Sequence, residues 1–400
     1  LIQQAKTVDW VVTMGFLVRP LVRSVVRPLG LRAVVMLSLT AIIQGCIPGF
    51  KPIEEDLEGI DPLEDLVFTD VTLEQANSEG QVLWKLESVR ATYQDDQQIA
   101  LVETPFGILF RDDEATYEVE AINGEVYQDG EKILLWDQVK ITHLATQAVL
   151  KGDRLEWYPQ QELLVIQGNL VGTYEDLEFT ANQGHYHGLD EIITLEGEIV
   201  AILQDSDLRL TTDYLEWQVA AETVTGPNPT LIERFDPEDP ETVVEWAKGD
   251  SLQVDLATER STLSPNAQVS LNSPPLDITS DTLTWDALQD LVETDKPLDI
   301  LHRDNKIAVS ADRGSMTLET EVVNLEGNVN GFNPQEQARL LANQVTWKIQ
   351  DQWVEAKGEV TYTATNPNLV ITGDVAVGQL DKGTIKVEDS QAVKTVYTLD

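Results

Sequence analysis

Cys46 is the only cysteine among the 400 residues, and its surroundings suit one reaction, acylation of the thiol. Ile43-Gln44-Gly45 precedes it, and the eleven residues Ala33-Val-Val-Met-Leu-Ser-Leu-Thr-Ala-Ile-Ile43 are apolar or small. Arg19, Arg23, Arg27 and Arg32 make the leading end positive. A charged start, a short apolar core and a small residue before the cut describe an export signal. Ile43-Gln44-Gly45-Cys46 resembles a lipobox, in which the cysteine is lipidated and becomes the new N-terminus, although Gln44 is an unusual occupant of its slot. The other reading is an uncleaved anchor, against which the apolar run is short of the roughly 20 residues that span a bilayer as a helix. Arginines favour the cytoplasmic side, so both readings put the rest of the chain across a membrane. Residues 1–45 are expected to be an export signal or membrane anchor, and 46–65 an acidic linker.

The remaining candidates for chemistry are weaker. His185-Tyr-His187 with Asp190 could present two imidazoles to a metal, but no third ligand stands near, and a surface turn is expected. No Asp-x-Asp-x-Asp-Gly calcium loop appears. Carboxylates are too numerous to single out a hydrolytic pair, and there is no Gly-x-Ser-x-Gly elbow. Nor is there a Gly-x4-Gly-Lys-Ser/Thr phosphate loop. No catalytic residue, metal or cofactor is expected, and the chain reads as a non-enzyme. Its net charge of −42 repels nucleic acid and anionic headgroups, so ligand contacts must rest on something other than basic patches.

The elements that would position any site are strands. From Leu66 onward short runs alternate apolar and polar residues, as in Val71-Thr-Leu73, Val269-Ser-Leu271 and Val370-Ile-Thr, between Gly, Asn, Asp or Pro. Only Asn333–Lys348 admits a helix, and its Val345-Thr-Trp347 end allows a strand instead. Asp153-Arg-Leu-Glu-Trp157 recurs as Asp213-Tyr-Leu-Glu-Trp217, Asp281-Thr-Leu-Thr-Trp285 and Asn343-Gln-Val-Thr-Trp347, every 60–68 residues. A glycine element, centred on Gly168, Gly197, Gly327 and Gly358, lies between copies, with neighbours about 30 apart as in Gly168 to Gly197 and Gly327 to Gly358. Such repeats mean stacked units, none able to bury its own apolar face. Strand pairs without crossover helices run antiparallel. The fold expected is all-β: an elongated antiparallel jellyroll folded over like a taco, of roughly 24 strands at ~14 residues each, with glycines at its bends. Residues 66–225 and 246–400 would form the body, with a bend or long loop over 226–245, where Pro recurs.

Val71-Thr-Leu73-Glu-Gln75-x4-Gly80-x3-Trp84-Lys-Leu86-x4-Ala91-Thr-Tyr93 follows the export segment. In that place it resembles the LptC family, periplasmic components of lipopolysaccharide transport, and the later repeats are similar to the OstA-like fold shared with LptA. The motif covers roughly the first third of the chain, and Gln75, Gly80, Ala91 and Tyr93 carry it with the apolar positions. The chain departs from the family in its length and in having a lipobox where a transmembrane anchor is usual. The resemblance implies attachment at the inner membrane and receipt of lipopolysaccharide or a related glycolipid from a permease pair with its ATPase. It also implies delivery, by edge-to-edge strand addition, to an LptA-like bridge or outer-membrane translocon.

Residues expected to line an apolar groove are Val71, Leu73, Trp84, Leu86, Leu134, Trp136, Leu155, Trp157, Leu215, Trp217, Leu283 and Trp285. In any sandwich such residues first of all pack the two sheets together, and the two roles merge if the core parts to admit chains. Two other readings stand beside the conduit: a structural surface lipoprotein with a closed core, and a β-helical polysaccharide enzyme, which the scarcity of basic residues disfavours.

Overall fold

A pleated backbone sends successive side chains to opposite faces, so the alternating runs become strands. The computed structural model describes residues 66–93, 99–111, 114–127, 130–365, 368–388 and 394–397. Cys46, the export segment and the acidic linker lie outside the described residues. Among the described residues thirty strands, paired antiparallel, form one continuous ladder. The number exceeds the expected 24 because many rungs are broken at a corner and count as two strands. No described helix is long and apolar enough to cross a membrane.

The strand Leu163–Tyr174 shows the unit. Leu163–Gln167 pairs with Gln183–His187 and Leu170–Tyr174 with Leu177–Ala181, so Gly168 and Asn169 together oppose the single residue Asn182. Both are left-handed, at φ +76° and +48°. An extra residue on one strand is a bulge, and it bends the ladder there. The corner is tied on its other side, where Asn169 Nδ2 donates to Asp153 Oδ2 at 2.7 Å. The same bond recurs between Asn266 and Asp250 at 2.6 Å, and between Asn328 and Asp312 at 2.7 Å. Each rung thus has two arms. We call the one carrying the Leu-x-Trp segments the Trp arm and the other the facing arm.

From residue 223 to 317 proline or aspartate at the corner divides each rung into two short strands, but the path is unchanged. Residues 226–245 are therefore not a long loop. Gly226–Pro229 turns one corner, and Thr230–Asp236 with Asp239–Gly249 forms a paired hairpin of the facing arm. The Asn333–Lys348 segment likewise ends in the strand Ala338–Lys348.

The margin of the Trp arm is stitched from turn to turn. Val219 N donates to Glu191 O at 2.9 Å, Leu256 N to Glu222 O at 2.9 Å, Ala287 N to Glu259 O at 3.0 Å and Leu318 N to Asp290 O at 3.0 Å. From Leu256 onward these donors recur every 31 residues. That is the true repeat. The 60–68 spacing arises because Trp stands in every second unit, while Tyr186, Val254 and Met316 take the same place in the others. Buried residues form two clusters that meet near Ile199 and Ala201, and partly buried Phe179 and Leu215 pack against both.

At Gly168 a Cβ would lie 2.5 Å from Asp153 Oδ2, whereas at Gly80, φ +87°, it would meet nothing within 4 Å. Gly168→Ala is expected to lose the backbone cost of about 1–2 kcal/mol plus the Asn169–Asp153 tie, and Gly80→Ala the backbone cost alone. Urea unfolding of the two variants measures the difference.

Candidate functional site, an apolar groove between two arms

Stepping from each residue to its partner across the ladder traces the inner walls. On the Trp arm one row runs through Ile133, Trp157, Tyr186, Trp217, Val254, Trp285, Met316 and Trp347 to Ile385. A second row, nearer the corner, runs through Leu135, Leu155, Leu195, Leu215, Leu252, Leu283, Leu325 and Ala376. The facing arm answers with Leu73, Leu86, Val119, Ile141, Phe179, Ile232, Ile278, Ile300 and Leu340. Among the described residues, strand pairing joins the arms only by way of the rungs and never links the two margins to each other.

The expected groove residues fall in three places. Leu155, Leu215 and Leu283 share one row of the Trp arm, and Trp157, Trp217 and Trp285 share the next. Trp84 and Leu86 belong to the facing arm, where Val71 and Leu73 of the edge strand pack on the same core. Leu134 and Trp136 are misplaced. They alternate with Ile133 and Leu135, which are the inward pair, and Leu134 is buried without joining either core cluster. The facing-arm row beyond Leu86, from Val119 onward, and Trp347 were missed, although Trp347 closes the fourth copy of the Asp/Asn-x-Leu/Val-x-Trp repeat.

The motif residues support the first rungs. Trp84 Nε1 donates to Gln75 Oε1 at 2.7 Å, and Gly80 N donates to Asn77 O at 3.0 Å in the turn between their strands. Ala91 is wholly buried, and Tyr93 meets Phe68 edge-on at 5.5 Å.

Trp84, Leu86 and Leu109 of one arm face Ile133, Leu155 and Trp157 of the other across a narrow gap of about 10 Å³. Near the far end a larger cleft of about 120 Å³ lies between Val309, Leu340 and Tyr362 on one side and Trp347, Val354 and Ile385 on the other. Glu336, Arg339 and Gln379 stand among its lining residues, the rest of which are largely apolar. Between gap and cleft the arms close on a dry core, where Ala267 and Leu276 have no exposed surface.

Two contacts bridge the seam. Arg111, at the tip of the facing arm, donates to Tyr186 Oη at 2.8 Å and to Glu191 Oε1 at 3.1 Å on the Trp arm. Tyr117 lies beside this clasp, and burial pushes its phenol well above the ordinary range. Further along, His302 of the facing arm packs 5.9 Å from the Trp347 ring. It is 5% exposed, and burial lowers its pKa. The outer histidines make no centre: His185 Nδ1 sits 3.3 Å from Thr194 Oγ1, and no group of three metal-ligating side chains occurs among the described residues.

The fold and its interior define an elongated, two-armed antiparallel β-jellyroll with inward, largely apolar rows. A family model described as "Lipopolysaccharide-assembly, LptC-related" matches residues 33–151 and 272–398, more than half of the chain. The chain belongs to that family, whose members are periplasmic transport components and not enzymes. The second matched segment lies well beyond the Val71–Tyr93 motif, in rungs that the motif alone left at the level of fold. Among solved structures it is similar to LptH of Pseudomonas aeruginosa, described as the LptA homologous periplasmic component of the lipopolysaccharide transport device. That likeness has 16% identity and a TM-score of 0.17 over 35% of this chain and 76% of the other. No curated protein matches.

Burial keeps the His302 imidazole neutral in the fold, while the unfolded chain takes up the proton first. Its contribution is complete above the ordinary histidine range and is lost as pH falls through it. Between about pH 7.5 and about pH 5.5 the wild type should lose more melting temperature than His302→Leu, with His143 contributing equally to both.

Proposed function

We propose that this chain is a membrane-attached periplasmic conduit that takes lipopolysaccharide from an inner-membrane ABC transporter and passes it along the space between its arms towards the outer membrane. The observation that carries this reading is the set of inward rows, apolar save for residues such as Ser261 and Thr294, from Leu73 and Ile133 to Leu340 and Ile385, walled by arms that no margin-to-margin pairing closes among the described residues. An acyl chain in water costs ~0.8 kcal/mol per exposed CH₂. Near-identical rungs offer similar burial at every step, so a chain meets no deep well and advances when another enters behind it.

The chain has no phosphate-binding loop, so the work comes from an ATPase elsewhere, coupled through the permease pair. Acylation at Cys46 or an uncleaved apolar segment supplies the attachment. Of the groove residues, the Leu155 and Trp157 rows with their facing partners are assigned lipid contact; Leu134 and Trp136 are not. At the far end an LptA-like bridge or the outer-membrane translocon adds by strand pairing, which open sheet edges permit.

The dry middle favours a second reading, in which the chain is a scaffold that separates its two ends. Photoreactive side chains in cells separate the two. Placed at Leu340 and at mid-body Leu283, they should capture lipopolysaccharide, and at outward Asp299 they should not; the scaffold captures nothing at Leu283. Separately, Cys46→Ser should abolish incorporation of labelled palmitate if the lipobox is used.

A further inference from the structure

Three indoles in the Trp-arm row carry an unmet bond. Trp157, Trp217 and Trp347 each bury Nε1 without a hydrogen-bond partner, and the whole Trp217 and Trp347 side chains are only 8% and 4% exposed. A buried donor left unpaired costs roughly 1–3 kcal/mol. Packing does not require it. Val254 and Met316 occupy the same row in the alternate units with no donor, and Tyr186 has its hydroxyl satisfied by Arg111. Trp84 on the facing arm shows what a purely structural indole does here, since it bonds Gln75.

Trp157 and Trp217 are four strands apart, ~19 Å at the usual strand separation, and Trp217 and Trp347 are eight strands apart, ~38 Å. Trp157 borders the narrow gap and Trp347 the larger cleft. The indole nitrogens have no solvent contact in the closed form, so only something that parts the arms reaches them.

Resting on the conduit reading, we propose that these indole N–H groups are docking stations for the ester and amide carbonyls at the heads of a glycolipid's acyl chains. An alkyl tail alone gives the wall nothing to bond. A carbonyl arriving at a Trp rung satisfies the orphan donor, and advancing to the next station exchanges one such bond for another. The row would thereby distinguish acylated glycolipids from amphiphiles that merely have chains.

The test uses the full chain labelled with ¹⁵N at the indoles, and two probes: a synthetic diacyl glucosamine phosphate and its dialkyl ether counterpart. Co-migration of radiolabelled probe with the protein reports binding independently of the indoles. The acyl probe should move the Trp347 and Trp217 indole proton resonances downfield, while the ether probe binds without doing so. Trp347→Phe and Trp217→Phe, which also assign the resonances, should weaken acyl-probe binding about three- to tenfold and leave ether-probe binding unchanged. If both probes bind and neither moves the resonances, or both move them alike, the stations are wrong and the conduit stands. A resident water detected at the indoles of the empty protein would equally overturn the stations. If neither probe co-migrates, the conduit reading itself fails, and the stations with it.

Discussion

The whole structure depends on keeping one face inward across a bend. In an unbent strand inward residues fall every second position, and a corner disturbs that count. This chain corrects it in two complementary ways. On a glycine strand the inward residues beside the corner are four apart, as with Ile166 and Leu170 around Gly168-Asn169. On the neighbouring aspartate strand they are three apart, as with Leu155 and Gly152 around Asp153. The bulge inserts one residue on one strand, and the partner slips phase by one to match it. The Asn-to-Asp bond ties the two corrections together, and both arms consequently turn apolar faces to the same interior.

Once that corner repeats, much else follows without further specification. Rungs stack in register, because each strand already has its neighbour's phase, and the rows of apolar side chains are then continuous. The margins are free of strand pairing, so what holds the arms together is interior packing and a few contacts such as the Arg111 clasp and the His302–Trp347 pair. These differ in kind from the ladder. Parting the arms breaks side-chain contacts but no strand pairing, and a body can remain folded while its seam yields.

The same corner explains what was legible in the sequence. Alternation and turn residues showed an all-β antiparallel body, and the glycine and Leu-x-Trp repeats showed that it is stacked and bent. Within the Trp arm the period of two held, so Leu155 with Trp157, and Leu215 with Trp217, were read correctly as neighbours on one face. Beyond a corner the phase slips by one, and no residue type announces the slip. The facing-arm row of Ile141, Leu150 and Phe179 was invisible for that reason. Leu134 and Trp136 failed differently. Trp136 imitates the repeat, but it occupies the outward phase beside Asp137, whereas Trp157 lies four residues past its own corner. Pairing register, not composition, decides between them.

The exterior completes the argument. Along the Trp-arm margin Glu162, Glu191, Glu222, Glu259, Asp290 and Glu321 occupy successive left-handed turn positions, followed by Gln352 and Gly383, so that margin carries a carboxylate at each turn up to Glu321. A phosphorylated glycolipid whose chains lie between the arms must hold its headgroup at or outside that rim, where like charges repel it. Its grip then comes from the acyl chains and the carbonyls at their heads, and the phosphorylated headgroup opposes rather than deepens the binding. A conduit needs that balance. Basic residues along the same rim would bind the phosphates at fixed points and turn a path into a set of traps, and an uncharged rim would let the body's apolar seam associate with its own kind. On the conduit reading, the net charge of −42 would belong to the groove, since mutual repulsion would keep the bodies from associating through their apolar seams.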